Sequence, residues 1–465
     1  MLRLAGTLAL ELRARLAHAR QFMRSTPFAL RGVCLLAVLC GAPAAPLHSQ
    51  ENPIAFTGAR IETAVTPPIA DGVLVIQGGK ILAVGPAGSV AIPEGAEVRD
   101  VAGLTIMPGI VDTHSHLGGT MNERSGPVQT ELRVLDSLDP RDGAFRRALA
   151  GGITTVNIMP GSGNVIGGQT VYLKLRRDND VGDLFIRDAE GRPTGGLKMA
   201  NGTNPIGTTP YPTTRAKTAA IARAEFIKAR EYAEKIARAG DDASKLPPRD
   251  LSLETLAEVL AGKRVVHHHT HRSDDILTVL RLREEFGFKV VLQHVSDAWI
   301  VADEIASAGV PCSIINVDSP GGKLETMDLS WKSGAVLEKA GVLVAFHTDD
   351  PILDSRFFLR SAALGVRAGM SRDAALRALT INPARMMDLG DRIGSIEAGK
   401  DADLVILNGD PFSVYTQVQE TWVEGRRVFE LSNPEDRLYA VGGDGAGARG
   451  PAHLCCFGDG EGGAE

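Results

Sequence analysis

The chain has 465 residues, 44% apolar and 23% charged, with a formal net charge of −6. That length accommodates a large domain with a satellite. The composition excludes a fibrous repeat or a chain disordered throughout. The acidic balance offers no basic surface for phosphate, so nucleic acid is excluded as an expected partner.

Residues 1–50 read as a secretory signal with an N-terminal extension. Arg24 and Arg31 precede the apolar run Gly32 to Cys40, and the small residues Gly41 to Ala45 follow. A basic flank, a short apolar core and small residues are the parts of a signal peptide. The run is too short to span a bilayer comfortably. The expectation is an exported protein, periplasmic or secreted, with no stable membrane span after signal removal. Met23 would start a conventional signal, and cleavage is expected near Ala44 or Ala45. Cys34 and Cys40 would leave with the signal. Cys312, Cys455 and Cys456 then make no paired framework.

From 52 to 107 short apolar runs alternate with Gly and Pro, as in GVLVIQGGKILAVG and LTIMPG. That is the texture of strands and turns. It returns at 389–432 in RIGSIEAGKDADLVILNGD and ETWVEGRRVFE. Between them, over 108–388, the strand-like runs ITTVNIM, GLKMA, KRVVHHH, KVVLQH, VPCSII and VLVAFH are interleaved with helix-like ones such as TLAEVLAG and DDILTVLRLREEFG. Such alternation predicts a parallel α/β core. A β module split between both flanks predicts one small β-sandwich built from the two termini. Residues 215–238 read as an amphipathic helix on a solvated outer face, and 433–465 as a Gly-rich, disordered tail.

Chemistry in a parallel barrel gathers at the carboxyl ends of strands. Eight of the 11 histidines fall at such ends: His114, His116, His267, His268, His269, His271, His294 and His347. His114 and His116 follow GIVDT and alternate, so both imidazoles face one side. Neutral imidazole suits zinc and related metals. A His-x-His pair alone is as readily structural; its place after an apolar strand opened by MPG favours a metal. In VVHHHTHRSDDI, His267, His269 and His271 share one face and His268, read as structural, takes the other. His269 stands at ligand depth and His271 within reach of substrate, and the residues leave open which of the two binds metal.

His294 ends the apolar run of KVVLQHVSD and is a ligand candidate. VLVAFHTDDP ends a strand on Asp349 and Asp350. A carboxylate beside a metal-activated water serves as ligand and general base. One of the two aspartates is expected to serve the turn before Pro351. Lys198, in GLKMANGTNP, is a surface lysine by default. Carbamylated by carbon dioxide, it becomes an anionic ligand bridging two metals. Asn164 and Arg272 are candidate substrate contacts, with turn formation and a surface ion pair as equal explanations. The segments near 118–145, 160–168 and 200–215 are long or Gly-rich loops where specificity would lie.

Together these residues resemble the amidohydrolase superfamily over about 52–432, especially its imidazolonepropionase-like and dihydroorotase-like members. MPGIVDTHSHL resembles the first-strand signature and GGITTV the second strand. GLKMANGTNP resembles a fourth strand with a carboxylated lysine, falling on Lys198. HHTHRSDDI, LQHVSD and AFHTDDP resemble the fifth, sixth and eighth strands, placing ligands on His269 and His294 and the catalytic aspartate on Asp349. The most specific match is LTINPARMMDLGDRIGSIEAGKDADLVILNGDP, the return into the β-sandwich. One departure is local: His347-Thr348-Asp349-Asp350-Pro351 stands where related sequences often carry Ser-Ser-Asp-His-Pro, which bears on substrate preference.

The resemblance implies a TIM (β/α)8 barrel with the terminal β-sandwich. It also implies two divalent metals, zinc by expectation, held by His114, His116, Lys198, His269, His294 and Asp349. The implied reaction is hydrolysis of a small amide, cyclic amide or dipeptide-like substrate, with Asp349 moving the proton and His271 assisting the oxyanion. A one-metal deaminase on the same fold is the alternative, and a non-enzymatic barrel a third reading. Oligomeric state is not legible; a homo-oligomer is compatible.

Overall fold

The computed structural model describes residues 52–119, 122–177, 180–316 and 323–442. The expected signal, with Cys34 and Cys40, and the tail holding Cys455 and Cys456 lie outside the described residues.

The two flanks of the chain build one eight-stranded sheet. Its N-terminal strands are β1 (Ile54–Ile61), β2 (Ile69–Gln77), β3 (Lys80–Pro86), β4 (Glu97–Asp100) and β5 (Thr105–Pro108). After a long interval the chain returns to it as β15 (Leu404–Leu407), β16 (Val418–Val423) and β17 (Arg426–Glu430). The seam between flanks is the antiparallel pair β5–β15, with Met107 opposite Val405. A separate apolar core seals this sheet, with Phe56, Ile61, Leu74, Ile106, Ile406 and Trp422 buried.

The intervening chain forms two further sheets. The first is β6 (Ile110–Ser115), β7 (Ile153–Ile158) and β9 (Val171–Lys174). The second runs β14-β13-β12-β11-β10-β8, from β8 (Ile166–Gln169) and β10 (Leu197–Ala200) through β11 (Val266–Thr270) and β12 (Val290–His294) to β13 (Cys312–Ile314) and β14 (Val344–Phe346). Steps β10 to β14 are parallel, as is β6–β7. Helices alternate with these strands, and the apolar strands are buried on both faces, the arrangement a parallel sheet requires.

The segment 160–168, expected as loop, departs from that expectation. Ile166–Gln169 runs antiparallel to β10, and the chain continues at once into β9, antiparallel to β7. Residues 166–174 therefore belong to both inner sheets. Gly168 makes the bend: its φ is +120°, and an added Cβ would lie 2.9 Å from Leu132 O. At the opposite ends, no ladder joins β14 to β6 among the described residues. The chain just past the strands is nonetheless tied: Asp349 N–H donates to His114 O at 2.9 Å and His116 N–H to Asp350 O at 3.2 Å.

The helix Arg215–Ala239 starts where Thr214 Oγ1 accepts the Lys217 N–H, a capping arrangement. Its outer side is polar, as expected. Its inner side is not solvated: Thr218, Ala222, Phe226, Ala229 and Tyr232 recur at helical spacing and are buried. Phe226 stacks on Phe286 and Phe288, ring centres 5.1 and 4.9 Å apart.

The expected disordered tail from 433 is corrected at its start. Pro434–Val441 is a helix, capped by Asn433 with Pro in its first turn. Buried Asp436 draws in Arg146 at 2.9 Å and Arg177 at 3.0 Å, which anchors the helix on the body. Among the described residues no helix is long and apolar enough to cross a membrane.

Candidate metal centre

His114, His116, Lys198, His269, His271, His294, His347 and Asp349 stand at or just past the carboxyl ends of β6, β10, β11, β12 and β14. All but His116 are buried, and His116 is nearly so. Two of them hold unusual backbone: φ is +71° at His294 and +52° at Asp349. Among residues other than Gly, that region is entered mainly by Asn, Asp and His. The Val295 N–H, held at 2.9 Å by Thr270 O, and the Asp349 N–H, held by His114 O, pin these turns. These left-handed turns at the strand ends bring the two side chains to within 3.7 Å of each other.

The side chains converge in three groups that could hold a cation: His114, His116 and Asp349; His269, His271 and His294; and His114, His294 and His347. Within each, the donor atoms lie within 4.8 Å of one another. Asp349 Oδ1 is 3.1 Å from His116 Nε2 and 3.4 Å from His114 Nε2, and Oδ2 is 3.7 Å from His294 Nδ1. The Lys198 amine lies 3.0 Å from His114 Nε2 and 3.2 Å from Met159 Sδ.

Behind this first layer the imidazoles are held from the far side. His116 Nδ1 donates to Met159 O at 2.9 Å. His269 Nδ1 meets Ser162 Oγ at 3.0 Å, and His271 Nδ1 meets Ser296 Oγ at 2.9 Å. His294 Nδ1 meets His347 Nε2 at 3.1 Å. His347 Nδ1 rests 2.9 Å from Ser313 Oγ, which contacts Thr113 Oγ1 at 2.7 Å. Beneath them the Asp112 carboxylate accepts the His114 and Thr348 N–H groups and the Thr348 hydroxyl. Burial still pushes its pKa up to about 7 against those bonds.

The donor chemistry fits a divalent metal. Nε2 of His269, His271 and His294, Nδ1 of His114 and both oxygens of Asp349 are buried without a hydrogen-bond partner. Buried polar atoms are costly when unsatisfied, and a cation satisfies lone pairs directly. Burial also holds His114, His269, His271 and His294 well below the usual imidazole range, and His347 at about 3. They are neutral at pH 7, the form that ligates.

His347, Ser162, Ser296, Ser313 and Asp112 were not singled out from sequence as site residues, and the geometry brings them here. For His347 the signal existed: it closes an apolar strand beside Asp349. Ser162 and Ser296 sit in loops and Ser313 inside a short strand, and none carried a signal. His267 is satisfied elsewhere, by Tyr172 Oη at 3.0 Å and Gln293 Nε2 at 3.1 Å. His268 is also buried, and its Nδ1 donates to His269 O at 3.0 Å. Asp350 takes the expected turn role, accepting from Ser355 N–H and Oγ–H.

The two substrate candidates are not brought into this cluster. Asn164 Nδ2 donates to Glu123 O and Gly126 O at 2.8 Å and secures a loop. Arg272 pairs with Asp274 at 3.0 Å on the surface.

A model of the amidohydrolase family matches residues 335–429. Amidohydrolase tasK of Hapsidospora irregularis is 29% identical over 381 residues, 74% of this chain; the chain spans 39% of that relative's length. An imidazolonepropionase of Stenotrophomonas maltophilia is 27% identical, over 74% of this chain and 87% of its own. The crystal structure of an amidohydrolase from Thermotoga maritima is 36% identical with a TM-score of 0.75, covering 81% of this chain and 100% of that one. The likeness to the Thermotoga maritima structure covers four-fifths of this chain and the whole of that one, and the chain belongs to the amidohydrolase family.

Proposed function

We propose that this chain is a metal-dependent hydrolase cleaving the carbon–nitrogen bond of a small amide, cyclic amide or dipeptide-like substrate. The observation that carries the reading is the convergence of buried, neutral imidazoles on the Asp349 carboxylate, whose oxygens accept no hydrogen bond. His114, His116, His269, His294 and Asp349 would hold divalent metal, zinc by donor type. Lys198 would join them if carboxylated. The frame we infer is an eight-stranded barrel. Its support is residues 166–174 bridging the two inner sheets and the backbone bonds between 114–116 and 349–350. The eight-stranded outer sheet, from 52–107 and 389–432, would be its β-sandwich. Export to the periplasm or beyond remains part of the proposal, carried by residues 1–50.

A bound divalent cation supplies Lewis acidity, acidifying a water and polarising the substrate carbonyl. Asp349 accepts the water's proton. Neither of its oxygens is engaged by a hydrogen bond, so it can then pass the proton to the leaving nitrogen. Ser162, Ser296 and His347 keep the imidazoles in one tautomer and orientation, the part outer partners play in metal sites. Burial excludes bulk water from the proton path.

The test is metal analysis of the purified chain followed by hydrolysis of N-acyl amino acids, dipeptides and cyclic amides. Release of the amine, dependent on bound metal, is the expected result. A metal-loaded chain inert toward the whole panel would count against the reading.

A further inference from the structure

Two of the three donor groups share no residue: His114, His116 and Asp349 form one, and His269, His271 and His294 the other. We propose that His271 is a metal ligand, completing with His269 and His294 a second, all-imidazole cation subsite beside the first. The inference rests on the metal-dependent reading above and deepens it. It gives His271 a bond to metal in place of the oxyanion role expected from sequence, and it needs no modification of Lys198.

Burial, anchoring and convergence carry the assignment together. His269, His271 and His294 are each 2% exposed or less. Each ring is held through Nδ1, by Ser162, Ser296 and His347 respectively, at 3.0, 2.9 and 3.1 Å. Each Nε2 is buried without a partner. The rings pack closely, with centres 4.4 Å apart for His269–His294 and 4.7 Å for His269–His271.

The tautomers decide what can lie between them. If every Nε2 bore hydrogen, three buried donors would face one another without an acceptor. If none did, three lone pairs would face without a donor. A cation resolves the second case, and the Nδ1 partners are compatible with it, because a serine oxygen can accept an N–H.

His294 makes the same demand of His347. For His294 to ligate through Nε2, its Nδ1–H must donate to His347 Nε2. His347 must then carry its own hydrogen on Nδ1, directed at Ser313 Oγ. Ser313 can in turn donate to Thr113 Oγ1. His347 is thus a positioning residue for the second subsite. Three neutral imidazoles with room for a fourth ligand suit zinc.

Zinc per chain, measured after chelator stripping and reloading of the full chain, tests the assignment. Two zinc ions are expected for the wild type and for Lys198→Ala, and one for His271→Ala and His271→Asn. A His271→Ala chain that still holds two ions overturns the inference, as does a wild type that holds only one. A wild type that binds none would overturn the metal-dependent reading beneath it as well, so the two failures are distinct. Should the variants not fold, anomalous diffraction from zinc-loaded wild-type crystals decides. An ion about 2.1 Å from His271 Nε2 is the expected result, and zinc in the site with His271 beyond bonding distance overturns it.

Discussion

Asp349 combines a left-handed backbone, full burial and an unengaged carboxylate. Asn tolerates the same backbone and nearly the same volume, so Asp349→Asn separates chemistry from folding. We expect kcat to fall at least about 100-fold, the contribution of a positioned proton acceptor, with Tm within a few degrees of wild type. Steady-state kinetics beside a thermal melt check this; near-normal kcat would remove Asp349 from proton transfer. At this scale the sequence was informative where a residue ended an apolar run. His114, His269, His294 and Asp349 were legible because strand alternation aims them. Ser162, Ser296 and Ser313 were not, because each serves an imidazole brought from a distant part of the chain. Asn164 and Arg272 carried the polarity of substrate contacts but are engaged by a loop and by a neighbouring aspartate.

Among the elements, the junction between β5 and β6 shows how a motif works mechanically. Gly109 separates the outer sheet from the first inner strand, and its N–H donates to Asp403 O at 2.8 Å. A Cβ there would lie 2.2 Å from Thr154 Oγ1, on the neighbouring strand β7. The glycine of MPGIVDTHSHL is thus required by its close approach to strand β7. Gly109→Ala is expected to destabilise by about 1–3 kcal/mol through overpacking, read as a lower midpoint in denaturant. The double variant with Thr154→Ala should recover part of the loss; no recovery would mean the clash lies elsewhere. Strands and helices with clear periodicity were legible throughout. The antiparallel β8–β9 excursion was not, since IGGQ offers two glycines where a strand signal needs side chains. The helix after Asn433 was hidden by the Gly-rich stretch that follows it.

The whole molecule is held together by charge as well as by apolar packing. Lys174, on β9, is fully buried and contacts Asp401, Asp403 at 2.9 Å and Glu424 at 3.3 Å, all from the returning C-terminal flank. Arg176 adds a two-pronged bond to Glu424 at 2.6 and 2.9 Å. Asp401 and Asp403 lie in GKDADLV, within the stretch that most resembles a known family, and the resemblance did not reveal what they bind. Burial alone would raise the Glu424 pKa, but the Arg176 hydrogen bonds and the Lys174 charge outweigh it and hold it at about 2. The folded value lies below the unfolded one, so this stabilisation is present above about pH 4.5 and is lost as pH falls toward 2. Glu424→Gln should therefore cost about 1–3 kcal/mol at pH 7. Its deficit against wild type should shrink on acidification through that window. A deficit constant from pH 7 to 2 would exclude the ion cluster as its source.

Metal removal tests the site and the fold at once, because ligands from β6, β11, β12 and β14 draw on both inner sheets. Without a cation, Nε2 of His269, His271 and His294 and both Asp349 oxygens are buried and unsatisfied. A metal that binds only the folded chain adds RT ln(1 + [L]/Kd), about 4 kcal/mol at a thousandfold excess over Kd. Chelation should accordingly abolish hydrolysis and lower Tm by several degrees, and zinc should restore both. The Tm gap should grow with the logarithm of free zinc, since mass action sets it. The double variant His114→Ala/His269→Ala, which strikes both donor groups, should melt near the chelated wild type and gain nothing from zinc. A chelated wild type with unchanged Tm would mean that the histidine cluster is satisfied without metal, and the sharing of ligands across the two sheets would then have to be explained by packing alone.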